Sequence, residues 1–130
     1  MPHLQFEVSE PLEDAAVASF VDWATNRYAE RMDTGTGHVV VTVRDDVRVA
    51  MGRADAGEPV AVLNADVRAG RSEAQRRNLA ADIVEELRDR WAVPPANVYV
   101  VYTEHPGEDF HLEEGPLDAW SATEEDEGAL

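Results

Sequence analysis

The sequence predicts an α/β fold in which two consecutive βαβ units form one four-stranded sheet with two helices on one face. Three observations predict it. A strand-helix-strand order occurs twice along the 130 residues. The two passages keep step, since Pro59 lies 57 residues after Pro2 and Asn97 lies 59 after His38. The apolar period also changes, from two in the strand segments to about 3.6 in the segments between them. Parallel strands need a crossover helix, and such connections are right-handed. Two units make one domain over residues 1–120, with repeats at about 2–51 and 59–112, and leave 121–130 as an acidic tail expected to be disordered.

The elements follow in order. His3 to Val8 alternates Leu4, Phe6 and Val8 with polar residues and reads as a strand. Ser9-Glu10-Pro11 reads as a helix start, because proline fits a first turn. Val17, Phe20, Val21, Ala24 and Tyr28 then recur at helical spacing until Asp33-Thr34-Gly35-Thr36-Gly37 breaks the run. His38 to Val43 is β-branched and reads as a strand, with a short arm expected around Val47 to Met51. The order then repeats. Pro59 to Val67 is a strand, and Ser72 with Gln75 forms a capping box. Leu79, Ile83, Val84, Leu87 and Trp91 make a helical stripe that ends before Pro94-Pro95, and Asn97 to Thr103 is a last strand. The segment beyond it reads as irregular. With both helices on one face, the other face of the sheet is expected to be apolar and in need of cover, so oligomerisation is expected.

Composition removes several function classes. Hydrophobic residues make up 44%, enough for a core, yet no apolar run approaches the ~20 residues of a membrane span. The N-terminus shows no basic stretch followed by an apolar one, so no secretory signal is expected. Without cysteine there is neither disulfide nor thiol chemistry. Asp and Glu total 27 against 11 basic residues, a net charge of -16. Such a field repels nucleic acid and anionic membranes, so neither is an expected partner. Every basic residue is arginine, which excludes a Schiff-base lysine and a lysine-based P-loop. Carboxylates scattered along a lysine-free chain resemble proteins of salt-loving cytoplasms, where molar salt screens the repulsion. A halophilic, cytoplasmic origin is therefore expected.

The specific signal lies in the second repeat. Ala69-Gly70-Arg71-Ser72-Glu73-Ala74-Gln75-Arg76 opens its helix, and Val93-Pro94-Pro95-Ala96-Asn97-Val98-Tyr99-Val100-Val101-Tyr102-Thr103-Glu104 closes it. A Gly-Arg-Ser helix start, a Pro-Pro turn and a strand ending in Thr-Glu resemble the tautomerase superfamily. The helix start is like 4-oxalocrotonate tautomerase. The double-length layout is like macrophage migration inhibitory factor, cis-3-chloroacrylic acid dehalogenase and malonate semialdehyde decarboxylase. The resemblance covers about residues 2–117. It implies a homotrimer and a catalytic N-terminal proline, Pro2, once Met1 is removed. It implies no cofactor and no metal; His3, His38, His105 and His111 also lack a metal-binding spacing. An α-amino group titrates near ~8 in model peptides. Burial in an apolar pocket or neighbouring arginines lower that value, so the neutral amine can act as a base and its protonated form as an acid.

The same resemblance assigns the other site residues. Arg71 and Arg68 fall where the dehalogenase pattern has carboxylate-binding arginines, and a guanidinium fork at a helix N-terminus suits a carboxylate. The plain alternative is surface arginines paired with the abundant acids. Tyr99 falls on a pocket tyrosine and Phe110 on an active-site phenylalanine, although Tyr99 equally suits a subunit interface. Tyr102 points to the opposite face from Tyr99. His38 lies near a water-activating position but reads more readily as a surface histidine at a strand end. Glu113 and Glu114 lie near another such position but read as solvated. Arg44 adds a carboxylate contact or caps the Asp45-Asp46 turn. The implied function is proton transfer on a small keto or enol carboxylic acid. The alternatives are hydrolytic dehalogenation or decarboxylation, or a non-catalytic trimeric interaction protein.

Overall fold

The computed structural model describes residues 2–118; Met1 and residues 119–130, and with them the tail at 121–130, lie outside the described residues. The first unit is β1 (Pro2–Val8), α1 (Asp14–Met32) and β2 (Val40–Arg44); the second is β3 (Ala61–Arg68), α2 (Glu73–Trp91) and β4 (Val98–His105). The sheet order is β2-β1-β3-β4. β1 runs parallel to β2 and β3 parallel to β4, so each unit is a βαβ crossover. The units join through an antiparallel β1–β3 pair that places Pro2 opposite Val67 and Val8 opposite Ala61.

Strand alternation decides the faces. Leu4, Phe6 and Val8 of β1 and Ala61, Leu63, Ala65 and Val67 of β3 point under the helices and are buried. Phe20, Ala24, Tyr28 and Met32 from α1 and Leu79, Ile83 and Leu87 from α2 close on them. Phe20 meets Phe6 edge-on at 4.9 Å between centroids and packs against Trp91 at 5.0 Å. Between the helices, Asp82 of α2 accepts from Arg31 at 2.6 Å and pairs with Arg27 at 3.2 Å. These bonds, the Arg31 hydrogen bond foremost, hold the Asp82 carboxyl below its ordinary range.

Four expectations are corrected. The helix does not start at Pro11: Ser9 extends the ladder to Val60, whose backbone N–H donates to the Ser9 hydroxyl at 2.9 Å. Leu12 N–H is taken by the Asp45 carboxylate at 2.7 Å, so α1 opens only at Asp14, with no side-chain cap from Glu13. The arm around Val47 to Met51 is not a strand; after Val47 N–H bonds Val8 the chain turns away from the sheet. The segment after β4 is not wholly irregular, since β5 (His111–Leu112) and β6 (Gly115–Pro116) form a small antiparallel hairpin. Finally, the helix-free face is mixed and not wholly apolar: Val40, Val62, Tyr99 and Val101 share it with polar side chains. His3, Gln5, Glu7, Thr42, Asn64, Asp66, Thr103 and His105 occupy it by alternation. Val40 and Tyr99 are its exposed large apolar side chains.

Candidate active site

The turn from β3 into α2 carries two of the candidate site residues, Arg68 and Arg71, and local chemistry fixes its shape. Ala69 N–H donates to the His105 carbonyl at 2.8 Å, ending the β3–β4 ladder. Gly70 has φ of 129°, a region that side chains disfavour, which is why glycine precedes Arg71. The capping box is complete: Gln75 N–H donates to the Ser72 hydroxyl at 3.1 Å, and Ser72 N–H donates to the Gln75 side chain at 2.9 Å.

Both arginines are interior, against the surface alternative. Arg71 is 5% exposed and Arg68 fully buried. Arg71 Nε donates to the carbonyl of Met32 at 3.1 Å. That carbonyl is one of the unpaired acceptors at the end of α1, where positive charge is favoured. Arg68 donates to the Asp118 carbonyl at 2.9 Å. The Asp118 backbone rests on Gly107, where a Cβ would collide with it, so glycine is required for this close approach. Beside the contact lies an open depression of about 360 Å³ lined by Ala69, Pro106, Gly107, Glu108, Leu117 and Asp118.

Pro2 is buried opposite Val67, one residue from Arg68. His3 pairs with Val40, so His38 lies at the same end of the sheet as Pro2. His38 is buried, not a surface residue, and its Nε2 lies 3.1 Å from the Glu114 carboxylate. Glu114 is thus paired although half exposed. The structure therefore brings Pro2, Arg68, Arg71 and His38 together at one end.

Other expected residues stand apart within one chain. Tyr99 pairs with Val62, five residues along β3 from the Pro2 partner Val67. That is about 16 Å at ~3.3 Å per residue, and on the opposite face. Tyr99 is 53% exposed there. Arg44 pairs with Glu7 at the far end of β1 and is exposed. Phe110 is half-buried and sits edge-on to His105 at 5.6 Å. Tyr102 does point away from Tyr99, into the helix layer, where its hydroxyl donates to the Arg76 carbonyl at 2.8 Å.

Sequence reasoning missed two features. Tyr28 was only a core residue by spacing, yet its hydroxyl lies buried at this end, and Arg71 and Arg68 both act on it. Burial pushes its pKa up to about 12, with the two arginines opposing the rise. His105 also pairs with Asp66 at 2.8 Å on the open face. Residues 66 and 105 are far apart in sequence, so only strand register could have revealed the pair. Among the described residues no three or more His, Asp or Glu side chains converge as a metal site, and no helix is long and apolar enough to cross a membrane.

A βαβ pair with buried arginines at the second helix start, beside an N-terminal proline strand, defines a protein of the tautomerase class. The profile described as "Tautomerase enzyme" matches residues 38–112, more than half of the chain, and the chain belongs to that family. Solved structures agree on the fold. Leishmania major MIF2 superposes with a TM-score of 0.76 at 18% identity, covering 90% of this chain and 97% of that one. N1, a member of the cis-3-chloroacrylic acid dehalogenase family, gives 0.73 at 24% identity, covering 88% and 84%. Native fused 4-OT gives 0.72 at 20% identity, covering 88% and 94%. No curated protein sequence matches the chain.

Proposed function

We propose that the chain is an isomerase that interconverts keto and enol forms of a small carboxylic acid, with Pro2 as the proton carrier. One observation carries the reading: Arg71, just before the capped start of α2, and Arg68, one strand position from the Pro2 partner Val67, are both withdrawn from water. Buried cations at a helix N-terminus suit an anionic ligand. With Met1 removed, Pro2 is a secondary amine. Its nitrogen takes the enol O–H proton, the C=C electron pair closes on a proton returned to carbon, and the ketone forms with no net gain or loss. Arg71 and Arg68 hold the carboxylate and Phe110 borders the site. Tyr99 and Arg44 contribute only if a second subunit brings them in. A homotrimer does so in this reading, and sedimentation at high salt giving only a 14.3 kDa monomer would contradict it.

The test follows ketonisation of phenylenolpyruvate by protein from its own host. Turnover is expected, together with intact mass lacking Met1 and loss of turnover in Pro2→Ala. Retained Met1 in active protein overturns the proline mechanism, because an amide nitrogen is not basic.

The His38–Glu114 couple favours a second reading, hydrolysis or decarboxylation, in which a carboxylate-oriented imidazole activates water while Pro2 stays protonated. Halide or carbon dioxide release that Glu114→Gln abolishes, with phenylenolpyruvate turnover intact, would select it.

A further inference from the structure

Two tyrosine hydroxyls lie inside the helix layer, close enough for Tyr28 to act on Tyr102. Tyr102 is satisfied by the Arg76 carbonyl. Tyr28 is not: its hydroxyl is buried and has no hydrogen-bond partner among the described residues. A buried polar atom normally finds a partner, and an orphan destabilises the fold. Tyr28 also stands in the stripe Phe20, Ala24, Tyr28, Met32, where phenylalanine would pack as well without that cost. A second orphan marks the same end of the molecule, the buried His38 Nδ1. The two unmatched polar atoms lie at the same end of the sheet as two interior guanidiniums, a combination that suits a polar, anionic ligand.

We propose that Tyr28 is a substrate-binding residue that sets specificity, its hydroxyl donating to the 2-oxygen of a 2-oxo or 2-enol acid whose carboxylate is held by Arg71 and Arg68. This rests on the carboxylate reading of those arginines. The division of labour follows from chemistry. The charged forks match the charged carboxylate. A neutral donor matches the carbonyl or enol oxygen on the adjacent carbon, and rejects an acid lacking that oxygen because the hydroxyl is then left unpaired. Burial keeps Tyr28 protonated throughout the physiological range, so it donates and does not carry charge.

The experiment measures calorimetric affinity for phenylpyruvate and for 3-phenylpropanoate, the same acid without the 2-oxygen, in wild type and Tyr28→Phe, with the Tm of both. Wild type should prefer phenylpyruvate roughly ten-fold, the worth of about one hydrogen bond. Tyr28→Phe should erase the preference, leave 3-phenylpropanoate affinity unchanged, and melt no lower than wild type. An undiminished preference in Tyr28→Phe, no preference in wild type, binding of neither acid, or a lowered Tm from a structural hydroxyl each overturns the assignment. The enzymatic reading fails separately. A preference that Tyr28→Phe erases, in protein that does not turn over phenylenolpyruvate, sinks the reaction and supports Tyr28. Turnover lost in Pro2→Ala with the preference intact in Tyr28→Phe does the reverse.

Discussion

The two βαβ units share a topology and differ in what their strand-to-helix turns do. After β1 the turn is anchorage: Ser9 bonds Val60, Leu12 bonds Asp45, and α1 starts uncapped. After β3 the turn holds the candidate site: a glycine at positive φ, two buried arginines and a complete capping box. Because β1 and β3 run antiparallel, the two turns lie at opposite ends of the sheet, and only the second falls beside Pro2. The repeat is thus structural, while the candidate site occurs once. The antiparallel junction, not either unit alone, decides which turn meets the N-terminal strand.

The sharpest way to break this contrast is Arg71→Ala. In the tautomerase reading it removes a charge-assisted contact worth about 1.5–3 kcal/mol. The expected outcome is roughly a 10–100-fold fall in kcat/KM. Arg71→Lys should recover only part, since an ammonium has no planar fork. Arg76 is an unsuitable control, because it bonds the Arg71 carbonyl at 2.9 Å and Glu104 at 3.5 Å instead of standing in solvent. Arg77, exposed and paired only to Glu73 in its own helix among the contacts described, serves better, and Arg77→Ala should keep full activity.

The remaining predictions concern stability. Ser72→Ala removes the cap of α2 and should cost about 1 kcal/mol, seen as a Tm lower by several degrees. Asp82→Asn tests the tie between the units. Its folded-state pKa lies below the ordinary value, so its stabilisation is complete above about pH 4 and fades as pH falls through the lower folded value. The Tm difference between variant and wild type should therefore be constant at neutral pH and shrink in acid; a difference that grows in acid would refute the sign. The smallest effect should be a gain. Glu13→Ser gives α1 the side-chain cap it lacks, and Tm should rise by an amount corresponding to roughly 0.5 kcal/mol. If α1 gains nothing, its start is fixed by the Asp45 contact alone.

Much of the fold was legible because its cues are local. Alternation in residues 3–8, the Ser72–Gln75 box and the Pro94-Pro95 stop each act within a few residues. The start of α1 was misread because Ser9 and Leu12 answer to Val60 and Asp45, which are distant in sequence. The apolar open face was inferred from layer counting, whereas polar side chains share it with Val40, Val62, Tyr99 and Val101. At the candidate site, residue types pointed to Arg68 and Arg71 but could not give their burial, because their partners Met32 and Asp118 are distant in sequence. Tyr99 and Arg44 could not be placed without register. Tyr28 was illegible because helical spacing treats its ring and not its hydroxyl.

The antiparallel junction also has a kinetic side. Pro2 meets Val67 across a separation of 65 residues, the longest of any pairing in the sheet, whereas the parallel pairs close within each unit. Closing loops of this size costs chain entropy before any contact repays it, and topologies rich in such pairings fold slowly. On a ribosome, β1 emerges first and must wait for β3 before its inner edge is covered. The hydrogen-bonded register between Pro2 and the arginine turn therefore completes late. Slowed synthesis between residues 8 and 61 would lengthen the time β1 spends as an open edge, and with it the exposure of the chain to misassembly.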